Sequence, residues 1–92
     1  VHCVGVLDAP VDVLAATMRL AQDVARAMTR AVGATGVVLL NASGPHSGQS
    51  VDHLHVHVVP RWSDDGADLW PADRSQHAPI PDVHELIAAE IP

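Results

Sequence analysis

The sequence predicts an α+β fold: one long helix packed on an antiparallel sheet, with a short helix near the C-terminal end. Three observations predict it. A stretch from Val11 to Val32 repeats its apolar residues at helical spacing, and two short apolar runs flank a glycine-rich loop. A second helical stretch, Val83 to Glu90, then follows an irregular tail. A chain of 92 residues has room for one domain and one modest core. A helix laid over an antiparallel sheet is the economical way to build it.

In the long helix, Leu14, Met18, Ala21, Ala25, Met28 and Val32 recur at intervals of four and three, which makes a continuous apolar stripe. Asp12, Arg19, Asp23, Arg26 and Arg30 fall elsewhere on the wheel. Asp8 is expected to cap the N-terminus, with Pro10 in the first turn and Gly33 as the stop. Gly36 to Asn41 reads as a buried strand, and Ala42 to Gly48 as a loop. Val51 to Val59 reads as a second strand closed by Pro60, and Asp82 as the cap of the last helix. Two strands make a marginal sheet. More are therefore expected, either from sequence upstream of Val1 or from a second chain.

The composition narrows the function. A net charge of -6 argues against binding a nucleic-acid polymer, which takes lysines and arginines to displace counterions. It leaves room for a small phosphorylated ligand held by backbone amides and imidazoles. With no Phe or Tyr and only two Trp, the core must be aliphatic. The single cysteine, Cys3, has no partner for an internal disulfide and fits a reducing compartment. No apolar run is long enough to span a bilayer. A cytoplasmic protein with no membrane partner is the expectation.

The chemistry is concentrated in Gly48-Gln49-Ser50-Val51-Asp52-His53-Leu54-His55-Val56-His57-Val58-Val59-Pro60-Arg61. Side chains on a strand alternate between faces. His53, His55 and His57 would share one face, and Leu54, Val56 and Val58 would meet a core on the other. Three imidazoles could simply occupy a wet sheet face. A His-x-His pair could hold a divalent ion, but Asp52 points to the wrong face to complete such a site. Neutral imidazole is also a nucleophile near pH 7. Attack on phosphorus would need a fixed tautomer and donors for the phosphate oxygens. Gly44, Gly48, Gln49 and Ser50 place backbone N–H groups, a carboxamide and a hydroxyl immediately before the histidine row.

The run His53-Leu54-His55-Val56-His57-Val58-Val59 resembles the signature of the histidine-triad (HIT) family at every position. The flanking Gly48-Gln49-Ser50-Val51 and Pro60-Arg61 are similar to that family as well, and the resemblance extends to about Trp70. It implies that His55 attacks the α-phosphate of a nucleotide to form a covalent nucleotidyl-histidine, which water then hydrolyses. His53 would hold the His55 ring through its backbone carbonyl, and His57 would bind phosphate and assist the leaving group. Ser50, Gln49 and Gly48 would contact phosphate oxygens. His2, in Val1-His2-Cys3-Val4, resembles the histidine that supports the first of the triad.

The family often has Asn or Gln seven residues before the loop Gln. Here that position is Ala42, with Asn41 beside it; either Asn41 takes the phosphate contact with a shifted loop, or the contact is lost. The family's N-terminal segment, about 40–50 residues by comparison with an ordinary domain size of about 100–150, is expected to lie upstream. The resemblance thus implies a single domain over residues 1–92, with the catalytic core in 1–61 and an irregular tail plus C-terminal helix in 62–92. Its substrate would be a purine nucleotide or dinucleotide, with no cofactor or metal required, and the protein would be a homodimer. The expected activity is hydrolysis of nucleoside phosphoramidates or dinucleoside polyphosphates. A nucleotidyl transferase or phosphorylase, or a catalytically impaired nucleotide-binding module, are the alternatives. His46, His77 and His84 are read as solvent histidines, Cys3 as inert, and Trp62 and Trp70 as covers for a small core or a dimer seam.

Overall fold

The computed structural model describes residues 2–92; Val1, which opens the motif around His2, lies outside them. The elements run α1 (Val11–Ala31), β1 (Gly36–Leu40), β2 (His57–Arg61) and α2 (Val83–Glu90). The α+β reading holds. β1 and β2 form a two-stranded antiparallel sheet, with Gly36 opposite Arg61, Val38 opposite Val59 and Leu40 opposite His57. Helix α1 lies against this sheet, the one element among the described residues that does.

Most of the apolar stripe of α1 turns inward, while Met18 and Val32 stay exposed. Ala21 is buried at its centre, while Leu14, Ala25 and Met28 are half-buried. Met18 and Ala25 face Val37 and Leu39 across a cleft of about 520 Å³. Leu20 and Val24 face Leu54 and Val58 across a second of about 320 Å³. The core is thin: among the described residues, Cys3, Ala21 and Ala34 are its buried hydrophobic residues.

Both ends of α1 have a physical cause. Pro10 occupies the N-cap in extended backbone, and its carbonyl accepts the Leu14 N–H at 3.0 Å. The predicted cap, Asp8, lies two residues too early to reach the helix's free amides. Its carboxylate instead accepts the N–H groups of Gly5 at 2.8 Å and Val4 at 3.0 Å. At the other end Gly33 takes φ +68. The Ala34 N–H then bonds back to the Met28 carbonyl at 3.3 Å, so the chain folds back on the last turn at the glycine that ends the helix. The indole N–H of Trp62 adds a bond to the Val32 carbonyl at 3.2 Å, so Trp62 secures the end of α1.

β2 is shorter than the sequence suggests and runs through Pro60 rather than stopping before it. Arg61 turns its carbonyl to the Thr35 N–H at 3.0 Å, so by alternation the nitrogen of Pro60 points to the free side, where no donor is required. Upstream, the ladder ends where β1 ends, at Leu40 opposite His57. Residues 51–56 have no strand partner among the described residues and are not regular strand.

The tail beyond β2 is pinned at its start by Asp65. Its carboxylate takes both arms of the Arg61 guanidinium, at 2.7 and 2.8 Å, and the N–H groups of Ala67 and Trp62. Arg61 also donates to the Ala67 carbonyl. These donors hold the Asp65 carboxyl well below the usual carboxylate range. The predicted Asp82 cap of α2 makes no side-chain bond to the helix, because Asp82 sits in left-handed backbone at φ 56; capping side chains reach the helix amides from extended backbone. Helix α2 packs on no other helix or strand among the described residues.

Candidate active site

The site is built where the sheet ladder runs out. Immediately past Leu40, the side chain of Asn41 takes over from the backbone: its amide donates to the His55 carbonyl at 2.8 Å. The Asn41 carbonyl oxygen accepts the Ser43 hydroxyl at 2.7 Å, and the Ser43 oxygen accepts the Val6 N–H at 2.9 Å. On the other side of the segment, the Leu54 N–H bonds the carbonyl of buried Cys3 at 2.7 Å. The stretch from His53 to Val56 is therefore held extended by side chains and by the N-terminal segment, in place of a neighbouring strand.

Leu54, Val56 and Val58 turn toward α1, where they meet Leu14, Thr17 and Leu20 across small apolar gaps. The imidazoles form two contacts. His55 and His57 lie edge to face with ring centroids 5.0 Å apart, and His2 and His53 lie tilted at the same separation. Nδ1 of His53 is 3.2 Å from Nδ1 of His2, so one ring donates a proton to the other's lone pair.

The link between the two pairs is the peptide of His53. Its carbonyl oxygen lies 2.8 Å from Nδ1 of His55. A carbonyl can only accept, so Nδ1 of His55 carries the proton, and in the neutral ring Nε2 is left with an unshared pair. This fixes the tautomer that a nucleophile at Nε2 requires. His57 is exposed, and so are Gly48 and Ser50 at the end of the loop.

Gln49 stands apart from its neighbours. Its carboxamide oxygen accepts the Gly44 N–H at 2.8 Å, and its nitrogen donates to the carbonyls of Val4 at 2.6 Å and Val51 at 2.9 Å. Asn41 likewise directs its carboxamide to protein groups, the His55 carbonyl and the Ser43 hydroxyl. The Arg61 charge is taken up by Asp65. Among the described residues, no three His, Cys, Asp or Glu side chains converge as metal ligands.

The sequence reading does not single out Ser43, Gly5 or Asp8 as parts of this site. Gly5 is required to be small: a Cβ there would lie 2.7 Å from the Ser43 oxygen, the atom that anchors Val6 and Asn41. Asp8 folds the turn that presents His2 and Cys3. The available signal is local: Asn41-x-Ser43 and the Asp8 turn are short polar side chains placed to bond nearby backbone.

A row of imidazoles at the end of a strand, backed by an apolar helix and with one ring's tautomer set by a main-chain carbonyl, defines a protein equipped for histidine chemistry. The HIT domain family model matches residues 1–64, and the chain belongs to the HIT family. It is 33% identical over 64 residues to an uncharacterised HIT-like protein of Saccharolobus solfataricus, covering 70% of this chain and 46% of that one. The chain thus spans about half the length of that curated relative. A crystal structure of a HIT family member from Bacillus subtilis superposes with a TM-score of 0.74 at 25% identity, covering all of this chain and 68% of that one. A hypothetical histidine triad nucleotide-binding protein from Sulfolobus tokodaii gives a TM-score of 0.65 at 30% identity, over 97% of this chain and 60% of its own. Among the described residues, no helix is long and apolar enough to cross a membrane.

Proposed function

We propose that this chain carries the catalytic part of a nucleotide hydrolase acting on the α-phosphate of nucleoside phosphoramidates or dinucleoside polyphosphates. The observation that carries the reading is the 2.8 Å contact between His55 Nδ1 and the His53 carbonyl. Nε2 of His55 attacks the α-phosphorus; the bond to the leaving amine or phosphate breaks, and His57 supplies its proton. The nucleotidyl-imidazole so formed keeps its Nδ1 proton and is cationic, a charge that the His53 carbonyl stabilises from 2.8 Å away. Ser50 and the backbone at Gly48 contact the phosphate oxygens. Water then attacks phosphorus and gives a proton to His57 as the Nε2–phosphorus bond breaks, releasing the nucleotide and restoring the Nε2 lone pair.

His53 and His2 hold the carbonyl that orients His55, in keeping with their ring contact. The substrate on this reading is a purine nucleotide or dinucleotide, no metal is required, and two chains pair as a homodimer in the cytoplasm. The apolar side chains of Val37, Leu39 and Leu40 in β1 stay more than a third exposed, which favours further chain against this sheet. The thin core, with Cys3, Ala21 and Ala34 as its buried hydrophobic residues among those described, favours a second reading, a nucleotide-binding module without turnover.

Release of AMP from adenosine 5′-phosphoramidate in the presence of EDTA tests the first reading. The chain is expected to release it and the His55→Ala variant is not; equal release from both would sink the proposal. Adding phosphate and finding ADP in place of AMP would make the protein a phosphorylase. Measurable AMP affinity without any turnover would favour the binding module.

A further inference from the structure

We propose that Gln49 is a positioning residue for His55, acting through two main-chain steps rather than by touching phosphate; this rests on the reading of His55 as the nucleophile. A carboxamide has two N–H donors and one oxygen. In Gln49 both donors are engaged inside the protein, one with the Val4 carbonyl at 2.6 Å and one with the Val51 carbonyl at 2.9 Å. The oxygen accepts the Gly44 N–H at 2.8 Å. The orientation of the amide is dictated by these partners: two carbonyls can only accept, and a backbone N–H can only donate. No donor remains for a phosphate oxygen.

What Gln49 joins gives the inference its content. Val4 belongs to the N-terminal turn, next to Cys3, whose carbonyl holds the Leu54 N–H at 2.7 Å. Gly44 belongs to the loop, in backbone with φ +93 that favours glycine. Val51 begins the histidine segment, and its carbonyl also accepts the His53 N–H at 2.8 Å. The next group along is the His53 carbonyl, which fixes Nδ1 of His55. From Gln49 to the His55 ring the route is therefore Gln49 to the Val51 carbonyl, to the His53 peptide, to Nδ1. Gln49 is half-buried at the junction of three segments that lack a strand partner of their own. Besides Gln49, the histidine segment is tethered by the Cys3–Leu54 bond, the Asn41–His55 bond and the His2–His53 ring contact.

The substitution Gln49→Glu separates the two halves of this role. A carboxylate still accepts the Gly44 N–H but places negative charge against the Val4 and Val51 carbonyls. Amide exchange and nitrogen-15 shifts of the His55 ring read the result by NMR, independently of activity. In Gln49→Glu, protection at Gly44 is expected to persist, while exchange at His53 accelerates about tenfold and the His55 ring loses its uniform Nδ1–H signature. In Gln49→Ala, protection is expected to fall at Gly44 as well. Where turnover of adenosine 5′-phosphoramidate is measurable, kcat drops in both variants and AMP affinity stays within about twofold of the parent. An unchanged His55 ring signature and unchanged His53 exchange in Gln49→Glu would overturn the proposal, as would loss of AMP affinity with both signatures intact. Absence of turnover in the parent chain bears on the nucleophile reading alone and leaves the NMR outcome decisive for Gln49.

Discussion

The carbonyl oxygen of His53 lies 2.8 Å from Nδ1 of His55, so the first histidine of the row acts on the second through its backbone and not its ring. This separates the two residues genetically. His53→Ala keeps the carbonyl and loses only the ring contact with His2. Turnover of a nucleoside phosphoramidate is expected to fall about tenfold or less in His53→Ala, against about a thousandfold or more in His55→Ala. Steady-state kinetics of the two variants side by side check the order.

Asn41 ties the end of β1 to the same residue, donating to the His55 carbonyl at 2.8 Å. Asn41→Ala removes that bond and the acceptor for the Ser43 hydroxyl. Stability is expected to fall by about 0.5–1.5 kcal/mol per bond lost, read as a lower urea midpoint. Asn41→Asp should be worse than Asn41→Ala, since it sets an anion against the carbonyl.

Gly5 and Gly33 should respond differently to alanine. At Gly33 no described residue lies within 4 Å of an added Cβ, so the loss is that of left-handed backbone, about 1 kcal/mol. At Gly5 the Cβ would come 2.7 Å from the Ser43 oxygen, which breaks the Val6 and Asn41 links as well. Thermal denaturation is expected to show the larger drop for Gly5→Ala, and loss of the His55 ring signature in that variant only.

The Arg61–Asp65 clasp gives a pH dependence with a definite sign. The Arg61 guanidinium and the amides of Ala67 and Trp62 depress the Asp65 carboxyl. Its stabilisation is therefore complete above the unfolded carboxylate value of about 3.9 and is lost as pH falls below that toward the folded value. Asp65→Asn is expected to be less stable than the parent at neutral pH, and the difference should shrink on acidification below about pH 4. Denaturation midpoints across that range provide the check.

Much of this fold is legible from periodicity. The stripe from Leu14 to Met28 gives α1, the run from Gly36 gives β1, and the stretch after Asp82 gives α2, each within a residue of its observed bounds. What periodicity does not carry is pairing. The alternation from Val51 looks like strand, yet strand ends where a partner ends, and β1 stops at Leu40. The same holds for caps. Asp8 and Asp82 have the right chemistry near the right places, but backbone position decides which amides each can reach. In the site, the residue types of the histidine row are plain in the sequence. The contacts made by Gln49, Asn41 and Ser43 are long-range, from loop to N-terminal turn, and a motif names such residues without saying which way they face.

The central claim is that Nε2 of His55 bonds to phosphorus. Mixing the chain with adenosine 5′-phosphoramidate in EDTA, quenching in alkali and mapping peptides by mass spectrometry measures it directly. The account predicts an adenylyl group on the peptide spanning residues 50–61, localised to His55 and absent from His55→Ala. Release of AMP with no adduct at His55, or an adduct on His53 or His57 instead, would contradict it.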